Sequence, residues 1–333
     1  MPRSVVRVVA VMVCLVTSPP LFSQNKAQVR KSHRMDRELE FTYDNDVYLL
    51  TDRYYTSGLN VAYSKLIRPE SNFYRRFSSK RSDSSKLVTR YHYGHSIYTP
   101  NGIKKRDFND FDRPYAGWHH LRFEVMNFPN VHTANTFELE VGLVGRRSGL
   151  GNFQEWWHNA FNIVQPRGWQ YQISSEPILN FSYNRTRNWR LTRKIQVMTN
   201  SGMKIGNGQN RLNQEVTLRL GKFNALNNSS IMNSRVSHFV PQLGEYLSNG
   251  EEAFVFYGLN ANYILSNILI QGSLFNNESP HTEDIHNLVF VQRWGFLYSN
   301  YYVTFYFTYY RLGKEVVGGR SHRYINLNLA FRF

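Results

Sequence analysis

The sequence has no long apolar run. Its 333 residues are 41% hydrophobic, with a mean hydropathy of −0.49. No internal stretch approaches the roughly 20 apolar residues of a membrane helix, so a helical membrane protein is excluded. Cysteine is nearly absent as well: Cys14 is the single one. Anything downstream of it has no disulfide, no thiolate metal centre and no cysteine nucleophile. Leucine is missing three residues before Cys14, where a lipoprotein signal prefers it. The lack of thiols suits an oxidising compartment. Acidic residues are few, 24 against 40 basic ones, for a net charge of +16 and a pI near 9.9. Such a balance calls for anionic partners, either nucleic acid or a phosphate-bearing membrane surface. Neither repeats nor low-complexity tracts occur.

What is present begins with an export signal. Arg3 and Arg7 precede a short apolar core, Val8 to Val16. Ser18, Pro19 and Pro20 break that core, and Leu21-Phe22-Ser23 offers a small residue for cleavage. The pattern predicts a secretory signal over 1–23 and a periplasmic segment over 24–35. An exported chain rarely meets nucleic acid. Phosphorylated lipid headgroups are therefore the expected partner, with no nucleic acid.

Alternation then dominates. Phe137, Leu139, Val141 and Leu143 share one face, while Glu138, Glu140 and Gly142 share the other. Leu212, Val216, Leu218 and Leu220 alternate with Asn213, Glu215, Thr217 and Arg219. Period two is the strand signature. Segments of about 10–13 residues suit tilted membrane strands, and the polar face carries both signs of charge, as a wet lumen would. Aromatics such as Tyr301, Tyr302, Tyr309 and Tyr310 sit near strand ends, like interfacial girdles. The last segment, Tyr324 to Phe333, alternates and ends on Phe333; it resembles the signal read by the outer-membrane assembly machinery. Strand candidates fall near 36–44, 55–67, 87–98, 116–128, 136–145, 176–186, 194–206, 211–223, 252–264, 268–276, 286–298, 301–312 and 322–333. An antiparallel barrel with both ends on one side needs an even number. The expectation is an all-β, closed antiparallel transmembrane barrel over 36–333, of about twelve strands, in the bacterial outer membrane and monomeric. Pro69 to Lys86 and Asn224 to Glu252 read as polar loops.

Three segments break the pattern. Gly151 to Val164 has helical spacing, and predicts a loop helix near 152–164, capped by Asn152 and ended by Pro166 and Gly168. Gln154 and His158 share a face of it. This helix is either a packing plug or a carrier of function. Asp44-Asn45-Asp46, with Asp52 near, is either a turn or a hard-cation site of the calcium type. Asp112-Arg113-Pro114-Tyr115-Ala116-Gly117-Trp118 opens a strand after a basic run; its bland reading is a turn with Asp112 and Arg113 paired. If the chain starts in the periplasm, strand parity puts all three outside the cell. Arg146 and Arg147 join them there, facing anionic lipid.

Taken with Thr51 to Gly58, Tyr98-Thr99-Pro100, Gly168-Trp169 through Gln172 and Glu176-Pro177, these segments resemble the lipid A 3'-O-deacylase family of outer membranes. The resemblance runs from about residue 36 to the C-terminus. It implies a twelve-stranded barrel and a calcium-dependent hydrolase that removes the 3'-acyloxyacyl group of lipid A in lipopolysaccharide. It also implies His158 as catalytic histidine, Asn45 and Asp46 as the Asn-Asp pair, and Ser64 as the small hydroxyl residue. On chemical grounds His158 is then a general base, since an imidazole titrates near pH 6.5. Calcium near Asp46, Asn45 and Asp52 would polarise the ester carbonyl. Ser64 would donate to the oxyanion or act as nucleophile. Gln154 would support the site, Glu176 would stand behind it, and Arg113, Arg146 and Arg147 would meet lipid phosphate. Three competitors remain: an outer-membrane phospholipase with a Ser–His–Asn site, a non-enzymatic pore or adhesin, and, on charge alone, a heparin- or nucleic-acid-binding barrel.

Overall fold

A computed structural model describes residues 35–49, 51–78, 85–236 and 251–333. The expected signal over 1–23 and most of the segment after it lie outside the described residues. Twelve strands form one closed antiparallel barrel: β1 (Arg37–Asn45), β2 (Tyr54–Leu66), β3 (Lys86–Thr99), β4 (Ala116–Asn130), β5 (Thr133–Val144), β6 (Glu176–Arg190), β7 (Ile195–Gly206), β8 (Gln209–Lys222), β9 (Glu252–Asn267), β10 (Leu288–Ser299), β11 (Val303–Leu312) and β12 (His322–Arg332). Closure runs from Glu38 opposite Arg332 to Asn45 opposite Ile325. Each strand thereby has partners on both sides, which removes the free edges that a bilayer does not tolerate.

Period-two alternation decides which way each side chain points. Phe41, Leu59, Leu121, Leu139 and Leu179 are exposed on the outer wall. Their neighbours Glu40, His120, Glu140 and Asn180 are buried in the lumen. Charges there are paired. Arg90 donates to Glu40 at 2.6 Å, Arg122 meets Glu140 at 2.9 Å, Lys204 meets Glu138 at 3.3 Å, and Arg293 donates to Glu215 at 2.7 Å.

The odd thirteenth strand candidate, 268–276, is not a strand. It opens with a short helix, Ile268–Gln271, capped by the Asn267 side chain accepting from Leu269 N–H at 3.1 Å. Ile268, Leu269 and Ile270 are all buried. Three consecutive apolar residues carry no period-two signal, and a strand would send every second one outward. The turn instead packs Ile268 and Leu269 against Trp118 and Ile173, and Ile270 against Ile264 and Val316.

Both polar insertions fall on the end of the barrel where β1 starts and β12 ends. Within Pro69–Lys86 a helix forms, α1 (Asn72–Phe77), capped by Ser71. The β8–β9 connection folds back into the lumen, where Leu226, Ser229, Ser230 and Arg235 are buried. Ser229 donates to Glu252 at 2.7 Å, and Arg235 donates to Ser299 O at 2.9 Å. Arg332 completes this plug: it pairs with Glu38 at 2.5 Å and donates to Thr304 and Ser299 at 2.9 Å each. Removing one partner of a buried pair leaves an uncompensated charge. Arg332→Met is expected to cost about 3–5 kcal/mol, and Glu38→Leu combined with it to recover most of that loss. Urea unfolding in lipid vesicles checks both; equal stability of single and double variants would contradict the pairing.

Candidate active site at the extracellular rim

The opposite rim carries the β1–β2, β3–β4 and β5–β6 connections, and the sequence explains how they are held. β1 ends at Asn45, and a 3-10 turn over Val47–Leu49 follows. Asp46 starts that turn: Leu49 N–H donates to its carbonyl at 2.9 Å. Its carboxylate then holds the rest of the loop, since Oδ2 accepts from Thr51 Oγ1 at 2.9 Å and from Arg53 N–H at 3.0 Å. Both donors are neutral. Asp46 is only 1% exposed. Burial pushes its pKa up to about 8, against the Arg53 hydrogen bond and helped by repulsion from Asp52. Asp52 is pushed up to about 6 by burial, while the His158 imidazole draws it down.

Tyr54 follows directly, with φ at +61°. A bulky side chain in that region is strained and persists only where its surroundings fix it. Here the phenol donates to Asp112 at 2.7 Å and accepts from Arg320 N–H at 2.9 Å. Asp112 also accepts from Asn101 N–H at 2.8 Å. Thus one tyrosine ties the β1–β2 loop to two others.

The loop helix, α2, spans Leu150–Ala160. It starts two residues before the expected 152. Asn152 is not its cap: Gly149 is, in the left-handed conformation and with no side-chain bond. Asn162, also left-handed, closes the helix as Ile163 N–H returns to His158 O at 2.8 Å. One face is buried and holds Leu150, Gly151, Gln154 and His158. Gly151 lets α2 approach Trp169, whose ring would lie 2.9 Å from a Cβ there. Trp169 Nε1 in turn donates to Gln154 Oε1 at 2.9 Å.

His158 Nδ1 lies 2.5 Å from Val164 O. A carbonyl only accepts, so Nδ1 donates, and in the neutral imidazole Nε2 is the acceptor. That Nε2 faces Asp52 Oδ2 at 3.9 Å, a charge contact rather than a hydrogen bond. The β1–β2 loop and the β5–β6 helix therefore meet at His158 and Asp52. His158 is 6% exposed.

Other expected residues fall elsewhere. Ser64 pairs with Glu38, near the start of β1, whereas Asn45 pairs with Ser57. Seven residues of strand separate the two positions, about 23 Å at strand rise. Ser64 is therefore corrected: it lies in the lumen near the opposite rim, because the rim is met by the first residues of β2. The hydroxyl-bearing residue of β2 that pairs with Asp46 is Thr56, which is buried and whose backbone carbonyl accepts from Asp46 N–H at 3.4 Å. Arg113 is corrected as well. It is 1% exposed, stacks over the Tyr98 ring at 4.4 Å and pairs with Glu315 at 3.0 Å, not with Asp112. Arg146 and Arg147 are exposed immediately before α2. Glu176 is buried and accepts from Asn207 at 2.9 Å. Asn45 donates to the Tyr43 phenol at 2.9 Å. Among the described residues no cluster of three or more His, Cys, Asp or Glu side chains is placed to hold a metal. Any cation here would also need amide, backbone or water oxygens, which calcium accepts.

Comparison with known proteins follows the same outline. The solved structure of LpxR from Salmonella typhimurium is similar at 21% identity with a TM-score of 0.69, covering 89% of this chain and all of that one. The β domain of the Bordetella autotransporter BrkA is similar at 8% identity with a TM-score of 0.46, covering 90% of this chain and 99% of that one. Among curated proteins none matches. A family model described as "Outer membrane protein LpxR" matches residues 9–333. The chain thus belongs to the LpxR family of outer-membrane proteins.

Proposed function

We propose that this protein is an ester hydrolase of the outer membrane that removes the 3'-acyloxyacyl group of lipid A, with His158 as general base and calcium as cofactor. One observation carries the reading: a buried histidine, with Nδ1 bonded to a backbone carbonyl, turns Nε2 toward Asp52 of a buried acidic loop. Family membership supports the substrate class. The lumen, packed with ion pairs and plugged at its other end, favours an enzyme over a pore.

Asp46, Asp52 and the Asn45 amide are hard oxygen donors. The two carboxylates are raised by burial with only neutral donors on Asp46, so a divalent cation would relieve both. These residues fit calcium and would hold it. When bound, calcium would supply polarisation of the ester carbonyl. His158 Nε2 takes a proton from water, whose oxygen bonds the acyl carbon as the ester C–O bond breaks. The same proton passes to the departing 3' oxygen, so a free acid is released and a hydroxyl remains on lipid A. Val164 O fixes the tautomer, and Asp52 stabilises the imidazolium that forms. Gln154, held by Trp169, positions the helix turn that carries His158. Arg146 and Arg147, in place of the buried Arg113, meet lipid phosphate.

Two outcomes follow for purified protein in vesicles containing lipopolysaccharide. His158→Ala is expected to lower kcat by about 10²–10⁴-fold, the usual weight of a general base, while Ser64→Ala leaves it unchanged. Steady-state release of fatty acid measures both, and a collapse with Ser64→Ala would contradict the site. Asp46→Asn is expected to raise the calcium concentration for half-maximal rate, read by titrating calcium into chelator-treated protein. An unshifted titration would remove Asp46 from the cation site.

A further inference from the structure

Helix α2 has three faces, and the site uses one. At 3.6 residues per turn, Leu150, Gln154 and His158 fall together and are buried. Asn152, Glu155 and Asn159 make a second, exposed polar face. The third face is apolar and exposed: Phe153 at 38%, Trp156 at 60%, Trp157 at 40%, and Phe161 just past the helix at 42%. Its rings pack on each other, Phe153 to Trp157 at 6.2 Å and Trp157 to Phe161 at 4.4 Å between centroids. Ring-to-ring packing makes this a formed ridge rather than scattered residues.

The ridge does not stop at the helix. Phe153 lies edge-on to His95 at 5.6 Å, and His95 edge-on to His119 at 5.8 Å. His119 stacks on Tyr93 and shares a 3.1 Å hydrogen bond with its hydroxyl. Tyr93 and Leu121 belong to the outward rows of β3 and β4 and are about half exposed on the barrel wall. An unbroken aromatic path thus joins α2 to the surface that faces lipid. Aromatic side chains with polar edges favour the bilayer–water boundary, and amphipathic helices lie along it.

We propose that the Phe153–Trp156–Trp157–Phe161 ridge is a lipid-docking surface seated in the outer leaflet, which delivers acyl chains sideways to His158. Continuity with the barrel's membrane face selects lipid as the occupant, and the polar face of the same helix stays in water. The delivery half of this proposal rests on the deacylase reading; the docking half does not.

Two measurements test it. In a Cys14→Ser background, a nitroxide is placed at Trp156→Cys or Glu155→Cys and the protein is reconstituted in phosphatidylcholine vesicles doped with lipopolysaccharide. Relaxation by oxygen is expected to dominate at 156, and relaxation by a water-soluble nickel chelate at 155. Equal nickel access at both positions would overturn docking, as would dipolar broadening at 156 from a second copy. In the second arm, Phe153→Ser with Trp157→Ser is expected to lose turnover several-fold on bilayer-embedded substrate and to regain it on detergent-dispersed substrate. Equal loss in both media assigns the rings a structural role and overturns delivery, and so does unchanged bilayer turnover. Wild-type protein inactive in both media would sink the hydrolase reading, while the labels still decide docking.

Discussion

A bilayer leaves no backbone N–H or C=O unpaired, and the rest of this structure follows from that constraint. β1 must close on β12, so the start of β1 and the end of β12 share one rim. Alternation then sends the apolar half of every strand to lipid and the polar half inward. The lumen therefore fills with charge, and each charge needs a partner, because one left alone in such a place is costly. Glu38 with Arg332, Glu40 with Arg90 and Glu140 with Arg122 satisfy that need. The barrel ladder does not constrain the two rims, where the loops are.

The rims use that freedom differently. At the end where β1 starts, the described part of the β8–β9 connection turns inward and plugs the lumen with Ser229, Ser230 and Arg235. At the other end, loops brace one another. Tyr54, held at positive φ, bonds Asp112 and the Arg320 backbone, so three connections share one anchor. Asp46 folds its own loop, and Trp169 holds α2 through Gln154. His158 is thereby placed beside Asp52 although they belong to different connections. Rigid placement of the imidazole is what the proposed hydrolysis requires.

Much of this was legible in the sequence, for a physical reason: strands and lumen obey a period of two, which the residues print directly. Twelve of the thirteen candidate segments are strands, and the exception, Ile268 to Ile270, is the one whose leading residues are all apolar. His158, Gln154, Asp46 and Asp52 were legible as residues because helical spacing and turn chemistry are local. Register is not local. Ser64 lies on the lumen face, as its alternation says, but its depth depends on pairing with Glu38. Arg113 looked like a phosphate ligand from charge and loop position; its partner Glu315 comes from a connection two hundred residues away in sequence. Tyr54 stands in the Thr51 to Gly58 segment, but its positive φ is not written in residue type. The aromatic ridge of α2 was visible as letters, yet which side it presents depends on where the barrel wall stands.

Mass spectrometry of lipid A from cells with and without the protein, with calcium supplied, tests the central claim most directly. The account predicts a product lacking the whole 3'-acyloxyacyl group, present with the wild-type chain and absent with His158→Ala. Unchanged lipid A from correctly assembled wild-type protein would contradict it and leave only the barrel standing.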